Sequence, residues 1–137
     1  MRVFLDSSSL AKRYIEERGS DKVEKVLAEA TEAAVSLIAP PELVSVLNRL
    51  RRQAIISTAQ YDQAKKALFE DIEDMSICDI TVRVVERTIG LLETHPLRTL
   101  DALQVACALE WRAELFASSD RRQVTAAKES GLRVMTI

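Results

Sequence analysis

The chain is predicted to fold as an α/β protein, a three-layer α/β/α sandwich around a mainly parallel sheet, and three observations predict it. Short apolar runs (RVFL, AAVSLI, ELFAS) alternate with longer stretches whose apolar residues recur at helical spacing, the pattern of strands joined by helical crossovers. Gly and Pro number only three each and no low-complexity stretch occurs, so linkers and disordered tails are not expected. At 137 residues and 47% apolar, the chain has enough for one core and too little for two, so a single domain over residues 1–137 is expected.

The first strand is RVFL, residues 2–5, and an amphipathic helix over about 7–18 follows it, with Leu10, Ala11, Tyr14 and Ile15 on one side. Gly19 and Ser20 end that helix. A second helix covers about 20–30 and a second strand about 33–38. Pro40 and Pro41 open a third helix, since proline is favoured in a first turn. Ser57 and Gln60 have the spacing of a capping box and start a long helix to about Asp74, which makes a helical hairpin with its predecessor. Tyr61, Ala64 and Leu68 mark its apolar side. A short strand lies near 76–79, and a helix from Thr81 to about Glu93 is ended by His95–Pro96. From Thr99 to Ala113 the chain is helical and apolar almost all round, which predicts burial in the middle of the fold. A strand at 114–118, a helix over about 121–129 and, after Gly131, the strand LRVMTI complete the chain.

Charge and composition exclude several classes of function. A net charge of −2 gives no overall field for nucleic acid, so any such binding must be local. One local candidate is the third helix, where Glu42, Ser45, Arg49 and Arg52 repeat at three- and four-residue steps and share a face along which phosphates could run. The same pattern also describes the solvated side of an amphipathic helix whose other side carries Leu43, Val46, Leu47 and Leu50. Arg51, Arg121, Arg122 and Lys128 are further cations. The start, MRVFLDSS, meets an acid too early for a signal peptide and no apolar run reaches membrane-spanning length, so a cytoplasmic protein is expected. Cys78 and Cys107, in apolar surroundings, read as reduced, buried thiols. No glycine-rich nucleotide motif is present, and the single His95 excludes a metal-free two-histidine ribonuclease mechanism.

The chemistry points to four acids: Asp6 in VFLDSSS, Glu42 in APPELVSVL, Asp101 in LRTLDALQVACAL and Asp120 in LFASSDRRQ. Each alone has a structural explanation. Asp6 and Asp120 have the position of helix caps, and Glu42 and Asp101 sit in first turns, where the helix dipole favours a carboxylate. Together they stand where strands or loops hand over to helices, the junctions that converge on one crevice above a parallel sheet. Two carboxylates ~5 Å apart repel by ~3 kcal/mol at an effective dielectric of ~20, so such a pocket calls for a cation. Oxygen ligands without His or Cys predict Mg²⁺ or Mn²⁺ rather than zinc. Asp6 and Asp101 are the best direct ligands, with Glu42 and Asp120 completing the site. Ser7, Ser8 and Ser118 could hold an acid or a water in place, although small polar residues at strand ends also satisfy backbone.

In order and spacing, LDSSSLAKRY, PPELVSVLNRL, LRTLDALQVACAL and FASSDRRQ resemble the PIN-domain nucleases, most of all the VapC-type toxins of toxin–antitoxin pairs. The resemblance spans nearly the whole chain; LRTLDAL is its most specific segment. It maps the family's four acids onto Asp6, Glu42, Asp101 and Asp120. Gln104 stands where many relatives carry His, and Ser118 where many have Thr. The resemblance implies a metal-dependent endoribonuclease acting on a structured cellular RNA, a small antitoxin partner that covers the crevice, and a homodimer. The helical hairpin of about 41–74 offers a surface for either contact. A PIN-type RNA-processing nuclease outside a toxin–antitoxin pair and a non-catalytic metal- or RNA-binding module are the alternatives. A phosphorelay receiver domain is a third, weakened because Asp6 is followed by serines and ASSD brings no lysine.

Overall fold

The computed structural model describes residues 1–137. The first strand, β1 (Arg2–Leu5), takes the centre of a five-stranded sheet. Its neighbours are β2 (Glu32–Ser36) and β4 (Leu115–Ser118), and β3 (Ser76–Cys78) and β5 (Arg133–Thr136) form the edges in the order β3-β2-β1-β4-β5. Every pairing is parallel, with Phe4 opposite Ala34 on one side and Phe116 on the other. Seven helices connect the strands: α1 (Ser7–Tyr14), α2 (Ser20–Glu29), α3 (Ala39–Arg52), α4 (Thr58–Glu73), α5 (Val82–Thr94), α6 (Thr99–Trp111) and α7 (Arg121–Glu129).

The inner strands read as continuous apolar runs because both of their faces are buried. Alternate residues go to opposite layers. Phe4, Ala34 and Phe116 meet Val84 and Leu91 of α5, Val105 and Ala106 of α6 and Ala127 of α7. The Phe4 and Phe116 rings stack across the strand pair, with centroids 5.9 Å apart. Val3, Leu5, Val35 and Ala117 meet Leu10 of α1, Val23 of α2, Leu43 of α3 and Leu68 of α4 on the other face. The predicted three-layer sandwich is therefore present. The α3–α4 hairpin has its own small cluster of Leu47, Tyr61 and Ala64. Both bonds of the Ser57–Gln60 capping box start α4.

Three boundaries differ from the sequence expectation, each for a local reason. Helix α1 stops at Tyr14 rather than about residue 18, because the Ser20 hydroxyl accepts the Glu17 N–H and donates to the Ile15 carbonyl, offering the backbone a turn in place of helix. Gly19, with φ +96°, then makes the reversal into α2 that other residues rarely adopt. Helix α6 ends at Trp111 rather than Ala113: Arg112 takes the left-handed conformation and Ala113 N–H donates back to the Ala108 carbonyl, feeding the chain into β4. Strand β2 ends at Ser36 rather than about 38, where the Ser36 hydroxyl accepts the Ile38 N–H and starts the turn into α3. Cys107 is buried as expected, whereas Cys78, on the edge strand, is only partly covered. No helix is long and apolar enough to cross a membrane.

Candidate active site

The sheet order fixes where the site lies. The chain leaves β1 toward β2 and β3 and later returns to β4 on the other side of β1, so the connections diverge between β1 and β4. Ligands of open parallel sheets bind outside the carboxyl ends of the strands at such a point. Asp6 directly follows β1 and Asp120 lies just beyond β4. Glu42 in the first turn of α3 and Asp101 in the first turn of α6 come to the same crevice, and all four line it with Ser7, Ser8, Gln104 and Gln123.

Asp6 is only 2% exposed, and its surroundings compensate the burial. Its carboxylate caps α1 by accepting the Ser9 N–H at 2.9 Å, and the Ser8 hydroxyl donates to Oδ2 at 2.5 Å. Ser118 Oγ stands 2.9 Å from both Asp6 Oδ2 and Gln123 Oε1, so its proton can serve either. Cap and site residue are thus the same side chain, and of the three serines expected to hold an acid or a water, Ser8 and Ser118 converge on Asp6 while Ser7 goes to Glu42. Glu42 is held through Oε1, which accepts from Ser7 Oγ at 3.0 Å and from Gln104 Nε2 at 2.8 Å. Gln104 also accepts the Ser7 N–H at 2.9 Å.

Asp101 differs from the others, because its carboxylate has no hydrogen-bond or ion-pair partner in the protein; only its backbone carbonyl is engaged, by Gln123 Nε2 at 3.2 Å. Asp120 caps α7 by accepting the N–H groups of Arg122 and Gln123. The capping box suggested by Asp120 and Gln123 is only half formed: the Gln123 side chain turns to Ser118 and Asp101, and the Asp120 N–H donates instead to Ser118 Oγ.

Three of the acids hold their protons above the usual carboxylate range. For Asp6, burial outweighs the hydrogen bonds from Ser8, Ser9 and Ser118. For Glu42, burial leads and the charges of Asp101 and Asp6 add to it against the Ser7 bond. For Asp101, burial is followed by the charges of Asp120 and Asp6, opposed by Arg98. For Glu42 and Asp101, then, the charges of neighbouring acids add to burial, whereas for Asp6 burial alone raises the carboxyl. No three acidic, histidine or cysteine side chains, as they stand, close directly around one ion. The donor set fits a hydrated Mg²⁺ or Mn²⁺, since such an ion keeps several waters and takes one or two protein carboxylates.

The cations divide. Glu42, Ser45 and Arg49 line the crevice, whereas Arg52 does not. Ten residues of helix carry Arg52 about 15 Å along the axis from Glu42, beyond the reach of a shared face. Arg121 and Arg122, at the start of α7, and Arg98, at the cap of α6, border a cleft that includes Asp101 and Asp120. Lys128 sits in the last turn of α7, at the far end of that helix. Arg51 is spent on the hairpin, over the Tyr61 ring. Gln104 and Gln123, both fully buried, are site residues not expected from the sequence. The one sequence signal is that Gln104 is a polar residue three positions past Asp101 on a helix apolar almost all round; nothing comparable marks Gln123.

No curated protein matches the sequence. Solved structures do match the fold. A toxin–antitoxin complex from Klebsiella pneumoniae aligns with TM-score 0.69 at 18% identity, over 98% of this chain and 96% of that one. VapBC2 from Rickettsia felis, bound to a DNA fragment from its promoter, aligns with TM-score 0.71 at 14% identity, over 100% and 99%. The sarcin-ricin loop cleaving toxin VapC20 of Mycobacterium tuberculosis aligns with TM-score 0.69 at 15% identity, over 95% of each chain. The PIN domain family model matches residues 3–129 and sets aside the receiver-domain reading. Because that match begins in β1 and runs to the end of α7, it takes in every element that shapes the crevice, and the chain belongs to the PIN-domain family.

Proposed function

We propose that the chain is a Mg²⁺- or Mn²⁺-dependent endoribonuclease and the toxin of a toxin–antitoxin pair, hydrolysing phosphodiester bonds in a structured cellular RNA. The observation that carries this reading is the gathering of Asp6, Glu42, Asp101 and Asp120 on one crevice at the divergence point of the sheet, with the Asp101 carboxylate unpartnered. Structural neighbours named as toxins, one of them as a sarcin-ricin loop cleaving toxin, support the biological setting.

Asp6 and Asp101 would hold the ion, with Glu42 and Asp120 beside it. When bound, the ion supplies Lewis-acid polarisation of the phosphodiester and neutralises developing charge. The remaining work falls to the chain itself. Ser8, Ser9 and Ser118 fix the Asp6 carboxylate, and Ser7 and Gln104 fix Glu42 through one oxygen. Glu42 Oε2 makes no bond within the protein, and its raised proton affinity suits it to take a proton from an attacking water. Arg49, exposed on the crevice wall, would meet a substrate phosphate.

The test compares wild type with Asp6→Asn and Asp101→Asn on total cellular RNA in Mg²⁺, Mn²⁺ and EDTA, with cut ends mapped. Discrete metal-dependent cuts absent from both variants are the expected result. No cleavage under any condition would make the chain a non-catalytic binding module. A small antitoxin and a homodimer belong to the same proposal. An adjacent reading frame for a short protein, and a solution mass of twice 15.3 kDa, are the corresponding checks.

A further inference from the structure

Beside the acidic crevice lies a second groove, between α1, the turn into α2, the start of α7 and the end of β5. Lys12, Arg18, Lys22 and Arg121 line it, and Asp21 is the one acidic side chain on its wall. Such a concentration stands out on a chain whose net charge is −2. Lys12 is committed in part to Glu17, 3.1 Å away, and Lys22 Nζ lies 3.4 Å from the Thr136 carbonyl. Arg18 and Arg121 make no ion pair with any group of the chain, and an unpaired guanidinium is a ready phosphate ligand.

The groove is continuous with the site. Lys12 and Ser119 line both the groove and the acidic crevice, and Arg121 lines both the groove and the cleft that holds Asp101 and Asp120. A polyanion whose one phosphodiester sits at the acids therefore meets Arg121 at the shared border and Arg18 farther along the groove. The lining selects among occupants: Ile137 is its one hydrophobic residue and it has no aromatic side chain. A docking peptide needs an apolar core to its interface, and base recognition on a single strand uses stacking platforms; neither is available here. Phosphate contact is what remains.

Resting on the ribonuclease reading above, we propose that this groove is a second RNA subsite, in which Arg18 and Arg121 hold backbone phosphates on one side of the scissile bond, independently of sequence. Specificity then arises elsewhere, from the shape of the RNA and from the opposite wall that carries Arg49.

The test measures binding of single-stranded RNA oligonucleotides in EDTA over a salt series, for wild type, for Arg18→Ala with Arg121→Ala, and for Lys65→Ala on the exposed face of α4 as a control for loss of positive charge away from the groove. The double variant is expected to bind roughly tenfold more weakly, with a salt slope lower by about one per lost contact, and Lys65→Ala to bind as wild type. Lengthening the oligonucleotide at one end only should strengthen binding to wild type and not to the double variant. Unchanged affinity and slope in the double variant, or an equal loss in Lys65→Ala, overturns the subsite. If wild type meanwhile cuts RNA, the ribonuclease reading survives that result. If wild type neither binds nor cuts RNA, both fail.

Discussion

Gln104 Nε2 donates to Glu42 Oε1 over 2.8 Å, joining the central helix α6 to the first turn of α3 across the mouth of the sheet. The same side chain accepts the Ser7 N–H at the start of α1, so one fully buried amide positions three helix N-termini relative to each other. Replacing it by a residue of similar size without hydrogen bonds leaves the Ser7 N–H and Glu42 short of partners. Gln104→Leu is expected to destabilise the fold by about 1–3 kcal/mol, the cost of unsatisfied buried polar groups, and to lower activity more than stability accounts for. Denaturant unfolding beside cleavage at a temperature where the variant is folded checks both. A variant as stable and as active as wild type would mean that the amide merely fills space.

Asp101 supplies the opposite case, a residue that costs stability. Its proton affinity is raised in the fold above the ordinary value of 3.8, first by burial and then by Asp120 and Asp6. A raised carboxylate gives stability that is fully present below the unfolded value and is lost as pH rises through the folded one. Asp101→Asn removes that loss, so at pH 7 without metal the variant should melt higher than wild type. Because the side chain is only partly buried, solvent screening keeps the gain small, about 1–3 °C. The gain should vanish near pH 3. Thermal melts in EDTA at the two pH values decide it, and a variant less stable than wild type at pH 7 would refute the repulsion.

Much of the site was legible in the chain, and the limits are physical. Asp6, Glu42, Asp101 and Asp120 could be placed because each sits where apolar periodicity changes, and such junctions in a parallel sheet meet by topology. Sheet order itself was not legible. It depends on which helix packs on which face, and those contacts join residues far apart in sequence. Gln104 was passed over for the same reason, since its partners Glu42 and Ser7 lie 62 and 97 positions away. The early end of α1 depends on Ser20 reaching back to Ile15 and Glu17, which competes with an otherwise sound helical pattern. Arg98, Arg121 and Arg122 gained their meaning only when α6 and α7 brought them beside the acids.

Metal should act on stability through the same charges. An ion bound to the folded state and not to the unfolded one stabilises by about 2.7 kcal/mol at 100 times its Kd. Mg²⁺ or Mn²⁺ is therefore expected to raise the melting temperature of wild type by several degrees at pH 7, and to do so far less for Asp6→Asn and Asp101→Asn. Ionic-strength controls with NaCl separate site binding from general screening. Equal rises in wild type and both variants would remove Asp6 and Asp101 from the metal site.

Away from the crevice, Asp71 holds the helical hairpin to α1. Its Oδ2 lies 2.6 Å from Arg13 Nε and accepts from the Tyr14 hydroxyl at 2.7 Å. Burial alone would push this carboxyl up, but the Arg13 and Tyr14 hydrogen bonds and the Arg13 charge outweigh it and hold it below the ordinary 3.8. The Tyr14 hydroxyl is correspondingly raised, by burial and then by Asp71. A depressed carboxylate contributes stability that is present above the unfolded value and lost as pH falls through the folded one, the reverse of Asp101. Asp71→Asn should thus destabilise the chain at pH 7, by about 1 kcal/mol after allowance for the partly exposed pair, and the difference from wild type should close as the pH falls below the ordinary 3.8 and through the lower folded value. Since the pair sits outside the acidic crevice, metal-induced stabilisation of Asp71→Asn should match that of wild type. A loss at pH 7 that persists undiminished at low pH would place the effect in packing rather than in the ion pair.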